Sequence, residues 1–70
     1  MSMMHAIALA LSAYKTEYKS EPEGIASVSL NYFHRWDYRD RWHFKVDILG
    51  NPNANVVVLF SEKVVFPRKL

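Results

Sequence analysis

The sequence predicts an α+β fold, an N-terminal helix packed on a three-stranded antiparallel β-meander. Three observations predict it. Residues 3–18 carry apolar side chains at steps of three and four, the period of one helix face. From residue 25 onward apolar positions recur at every second residue, the period of one sheet face. Between the two regimes stands Glu21-Pro22-Glu23-Gly24, whose proline presets φ and whose glycine accepts a positive one. An all-β, four-stranded antiparallel meander is the alternative, because Ile7, Leu9 and Leu11 also alternate with small residues.

In the helical reading, Met4, Ile7, Leu11, Tyr14 and Tyr18 form one stripe, with Met3 and Ala10 on its flank. Lys15, Thr16 and Lys19 fall on the far side, and Leu9 is misplaced. Ser2 serves as N-cap, and the alanines favour helix. A sheet that is apolar on one face needs a cover, and this stripe supplies it.

Residues 31–44 are the part of the chain around which the rest is organised. They hold both tryptophans, two of three histidines, three of four arginines and half of the Tyr and Phe residues. They read as the tip and upper arms of a β-hairpin. Even positions are apolar on both arms: Val28, Leu30, Tyr32, then Trp42, Phe44, Val46, Ile48. Odd positions are mostly polar. A slip of one residue would put the apolar face in water, so even pairs with even. The expected register sets Trp36 opposite Trp42, His34 opposite Phe44, Tyr32 opposite Val46 and Leu30 opposite Ile48, with Asp37 facing Arg41. Tyr38, Arg39 and Asp40 then form the loop. Phe-His-Arg-Trp-Asp is nearly mirrored by Asp-Arg-Trp-His-Phe, but pairing along that symmetry would mix the faces.

Asn51-Pro52-Asn53-Ala54 reads as a type I turn. Residues 56–60 read as a short β-branched strand, followed by a kink at 61–63, a resumed apolar run at 64–66 and a stop at Pro67. The expected core face is Val28, Leu30, Tyr32, Trp42, Phe44, Val46, Ile48, Val56, Val58 and Phe60. Val57 and Leu59 are expected to point outward on a bare edge strand, a surface that native proteins cover. They are the expected interface of a homodimer.

Seventy residues make one small domain, spanning 1–70. Half the residues are hydrophobic, which places the chain among folding sequences. Without cysteine there is no disulfide or thiolate staple. The formal charge of +2 is uneven: Lys15 and Lys19 stand against Glu17, Glu21 and Glu23 in residues 1–34. The second half is mildly basic, which permits an acidic or nucleic-acid partner without requiring one. No Lys or Arg precedes the apolar run at the N-terminus, so a secretory signal is not expected. No run approaches a membrane span, and a cytoplasmic location is the default.

No metal or cofactor site is expected. His34 and His43 point to opposite faces in the hairpin register, and no close histidine spacing exists. Asp37 and Asp40 suit turn geometry better than paired acid–base work. With only Gly24 and Gly50, a glycine-rich phosphate loop is excluded. His43 beside Arg35 and Lys45 leaves a small ribonuclease-like toxin as a remote reading, against the plainer one of an exposed cross-strand histidine.

What remains is a face where Phe33, Arg35, Arg41, His43 and Lys45 interleave, with Tyr38 and Arg39 at the tip. Such residues are enriched at protein interfaces, and they also stack bases and hold phosphates. The plain alternative is a solvated sheet face with one stray Phe. The expectation is a non-enzymatic binding protein docking this face onto a larger protein. It would be an adaptor, or an inhibitor of the type that phages and mobile elements encode. Nucleic-acid binding by the same residues is the alternative.

Overall fold

In a computed structural model, residues 1–33 and 41–67 are described, the side chains of Phe33 and Arg41 excepted. The chain forms α1 (Met3–Tyr18), β1 (Ile25–Phe33), β2 (Arg41–Ile48), β3 (Asn51–Leu59) and β4 (Val64–Val65). The α+β reading holds: one helix lies on an antiparallel sheet ordered β1-β2-β3-β4.

Ser2 caps α1 as its sequence position suggests, its Oγ accepting from the His5 backbone N–H at 3.1 Å. Lys19 closes the helix in the left-handed conformation, φ 56°, and its N–H bonds the Lys15 carbonyl. The buried line is Ala6, Ala10 and Tyr14, flanked by Leu9, Leu11 and Tyr18. The expected stripe is therefore rotated toward the alanines. Met4 is 76% exposed, and Leu9 packs on the core. The cause is approach distance: two methyl side chains bring the helix close to the sheet, where Met4 would hold it off.

Helix α1 rests on β2, β3 and β4 and runs antiparallel to β3. At its start, His5 Nε2 meets Glu62 Oε2 at 3.3 Å, beyond the end of β3. At its other end, Asn51 Nδ2 donates to Tyr14 Oη at 3.1 Å, at the start of β3. Tyr14 stacks on Tyr18 at 4.6 Å, and Tyr18 meets Phe66 edge-on at 6.0 Å. Beneath the helix lie Phe44, Val46, Ile48, Ala54, Val56 and Val58, all buried. Their even parity follows from the alternation, and the core face is the expected one in its central part.

Three expectations about the sheet are corrected. The hairpin register is displaced by four residues: Leu30 pairs with Phe44 and Tyr32 with Trp42, rather than with Ile48 and Val46. A four-residue shift preserves parity, so alternation alone does not distinguish the two registers. Specific pairs do, among them Ser27, whose Oγ donates to Asp47 Oδ2 directly across the ladder at 2.6 Å. The pairings expected for His34, Trp36 and Asp37 lie outside the described residues.

Strand β3 begins at Asn51, not 56, and the β2–β3 reversal is made by Leu49 and Gly50. Gly50 has φ +87°, and the surplus residues of β3 are absorbed in a register shift opposite Asp47 and Ile48. A similar irregularity near Ala26 turns Ile25 onto the core side despite its odd number.

The third correction concerns the supposed bare edge. Val64 and Val65 form a fourth strand against Val58 and Val57. The reversal is a three-residue loop: Glu62 N–H bonds the Leu59 carbonyl, Leu59 N–H bonds the Lys63 carbonyl, and Glu62 sits at φ 75°. Val57 and Leu59 are each only 2% exposed and cluster with Val65. They form a second small core, not an outward patch.

Candidate functional site

The β1–β2 arm reaches past the helix, and two surfaces result. On the helix side lie four side chains that alternation assigns to the core. Leu30, Tyr32 and Trp42 are each about half exposed, and Phe60 is 43% exposed. The Tyr32 and Trp42 rings meet edge to face at 5.1 Å. Leu30 lies across from Phe44, and Phe44 stacks on Phe60 at 5.5 Å. The result is an apolar, largely aromatic strip open to solvent, its Leu30, Tyr32 and Trp42 held by the ladder and its Phe60, beyond the end of β3, by the stack on buried Phe44.

Its exposure has a simple geometric origin. A helix is about 10 Å wide, whereas four strands at about 4.8 Å spacing span a wider sheet. One helix cannot cover that sheet, and β1 with the upper part of β2 is left over. The same width comparison, applied to the sequence, would have flagged Tyr32 and Trp42 as surplus apolar surface.

On the opposite side, odd positions assemble a polar face. Asn31 lies across from His43, Ser29 from Lys45 and Ser27 from Asp47. Asn31, His43, Lys45, Asn55, Val57 and Pro67 line a hollow of about 340 Å³. A neighbouring hollow of about 460 Å³ runs past Ser27, Asp47 and Pro52, with Lys45 between the two. Lys45 Nζ stands 3.9 Å from Asp47 Oδ1, and Asn31 Nδ2 donates to Ser29 Oγ at 3.0 Å.

The sequence-derived site divides accordingly. Phe33 and Arg41 are direct partners in the β1–β2 ladder. Lys45 is partly exposed on the polar face as expected. His43 is not the exposed histidine of the sequence reading: it is 3% exposed, between Asn31 and Leu59 in the pairing. It pairs with Leu59 of β3 and lines the same hollow as Val57 and Pro67, surroundings that alternation does not place. Arg35, Tyr38 and Arg39 lie outside the described residues. Val57 and Leu59 are buried within one chain, which removes the exposure on which their interface role rested.

Among the described residues no three His, Cys, Asp or Glu side chains come together as a metal site would require. Among the same residues no helix is long and apolar enough to cross a membrane. No family model matches the chain, and no curated protein or solved structure matches it.

Proposed function

We propose that the chain is a non-catalytic binding protein, an adaptor or inhibitor, that docks on a larger protein through the β1–β2 arm. The observation that carries this reading is the aromatic strip of Leu30, Tyr32, Trp42 and Phe60. Exposed Tyr and Trp anchored on a rigid sheet are the side chains from which interface hot spots are made, since they bury large area at low entropy cost. In this proposal Phe33, Arg35, Tyr38, Arg39 and Arg41 contribute further charge and aromatic surface, the arginines pairing with acidic groups of the partner. Lys45 and His43 take a lesser part. Phage or mobile-element inhibitors are one class of small protein that work in this way, and a cytoplasmic setting suits the reading.

Nucleic-acid binding is the second reading, favoured by the Tyr32–Trp42 pair, since solvent-facing aromatic rings on a sheet can stack bases. Two lysines among the described residues stand away from that pair, which favours a protein instead. Lys45 is on the other face beside Asp47, and Lys15 is near the far end of α1, bonded to Glu21 at 3.1 Å.

Affinity capture from the cells that make the protein, with and without nuclease, tests the proposal. A stoichiometric protein that survives nuclease, is lost with Trp42→Ser and Tyr32→Ser, and persists with Lys45→Ala supports it. Capture of RNA or DNA alone overturns it, with affinity falling about one decade per decade of salt for each phosphate neutralised.

A further inference from the structure

We propose that two copies of the chain pair through β1, edge to edge and antiparallel, into one continuous eight-stranded sheet. The two edges of the sheet are unequal. Strand β4 is two residues long and is followed at once by Phe66 and Pro67, a short edge stopped by a residue that cannot extend a ladder. Strand β1 is nine residues long and reads Ile-Ala-Ser-Val-Ser-Leu-Asn-Tyr-Phe. It holds no charge and no proline, and its one irregularity lies at Ala26, near its start. From Ser27 to Phe33 its pairing with β2 is regular, which leaves a straight template on its outer side. Among the described residues, the devices that blunt edge strands are present at one edge and missing at the other.

The occupant follows from the complementarity of the strand with itself. Around a two-fold axis at Leu30, Leu30 faces its own copy and Val28 faces Tyr32, all on the helix side. Ser29 faces Asn31 on the other side. The three central pairings are apolar with apolar or neutral polar with neutral polar, only the outermost, Ser27 with Phe33, is mixed, and no like charges meet at the axis. A slip of one residue would set Leu30 against Ser29 or Asn31, so parity selects registers of this kind. Both helices then lie on one face, and the two half-exposed Leu30 side chains become each other's cover. The seven regular residues give a seam about 23 Å long, a contact at or below the lower end of specific interfaces and hence a weak one. The Val57–Leu59 surface takes no part.

Sedimentation of the full chain between about 1 μM and about 1 mM tests the seam, the range in which interfaces of modest size associate. The expected result is a concentration-dependent dimer that Ser29→Glu abolishes with an unchanged circular dichroism spectrum, since a glutamate there faces Lys45 across the β1–β2 ladder as a favourable pair within the monomer. Ser29 is exposed, so the substitution leaves the monomer core untouched. Because the chain has no cysteine, Leu30→Cys reads the register. Directly opposed residues of an antiparallel pair stand within disulfide range, so mild oxidation links Leu30→Cys into a covalent dimer faster than Ser29→Cys. A monomer at every concentration overturns the proposal. So does a dimer indifferent to Ser29→Glu, or a β1 whose amides gain hydrogen-exchange protection only when a different protein is added. Trp42→Ser, which tests docking on a partner, leaves the dimer in place, so the two proposals fail separately.

Discussion

Tyr32 and Trp42 face each other directly across the β1–β2 ladder, edge to face at 5.1 Å, and both remain half exposed. The pair thus does two things: it pins the register one step in from the end of the ladder that adjoins residues 34–40, and it leaves an aromatic surface in solvent. A side chain that only stabilised the fold would be covered by it.

The first prediction follows from that division. Tyr32→Ala and Trp42→Ala each leave the domain folded, and a double-mutant cycle in urea gives a coupling of about 0.5–1.5 kcal/mol, the usual range for aromatic pairs. Circular dichroism is the readout, since Trp36 complicates fluorescence. A coupling near zero would mean that the rings do not hold the register.

A second prediction separates the two cores. Phe44→Ala, beneath the helix, costs about 3–5 kcal/mol, and Leu59→Ala, on the other face, about 2–5 kcal/mol. A 70-residue domain is stable by only about 4–10 kcal/mol, so either change unfolds a large part of the population. A Leu59→Ala variant with an unaltered denaturation midpoint would contradict its burial.

How much of this was legible in the sequence depends on the range of the interaction. The helix, its Ser2 cap and the even core of β2 follow from periodicity and capping, which act within a few residues. The hairpin register does not, because Leu30 opposite Phe44 and Leu30 opposite Ile48 satisfy the same alternation. Only cross-strand contacts such as Ser27 with Asp47 choose between them. The burial of His43, Val57 and Leu59 was hidden for a related reason: it depends on β4 folding back, and two valines after a three-residue loop give almost no pattern. The exposed strip was missed because alternation says which side chains share a face, not how much of that face one helix can cover.

A third prediction concerns Gly50. Its φ of +87° is unfavourable for any residue with a Cβ, and a Cβ there would fall on the Glu23 carboxylate. Gly50→Ala costs about 1–2 kcal/mol, mostly as backbone strain. Glu23 is exposed and its carboxylate can swing aside, so adding Glu23→Ala recovers little of that loss. Near-complete recovery in the double variant would show that the side-chain clash, not the dihedral, sets the cost.

Lys19 and Glu62 offer the converse. Both are non-glycine residues in the left-handed region, at φ 56° and 75°. Lys19→Gly raises stability by about 0.5–1 kcal/mol, because the helix-terminating conformation then carries no Cβ penalty. Glu62→Gly gives a smaller net gain, since it also removes the exposed His5 contact, itself worth less than about 1 kcal/mol. Thermal melts of the two variants order them; a loss with Lys19→Gly would deny the left-handed cap.

The last prediction settles what His43 is for. It lies one residue from Phe44 in sequence but on the other face, and it is 3% exposed beside the Val57–Leu59–Val65 cluster. Among the described residues no buried side-chain polar atom lacks a hydrogen-bond partner, so wherever a ring nitrogen of His43 is buried a polar contact accompanies the packing. His43→Ala removes both and costs about 2–4 kcal/mol. His43→Phe keeps most of the volume while deserting the polar partner. If packing dominates, Phe is the milder change; if the hydrogen bond dominates, Phe is as harmful as Ala. Ribonuclease chemistry at His43 predicts a different pattern: cleavage of added RNA by the native chain, lost in His43→Ala while the fold persists. The expected outcome is intact RNA with the native chain and a lowered denaturation midpoint in His43→Ala. A structural histidine reports through stability, whereas a catalytic one reports through turnover, and the two measurements on one variant tell them apart.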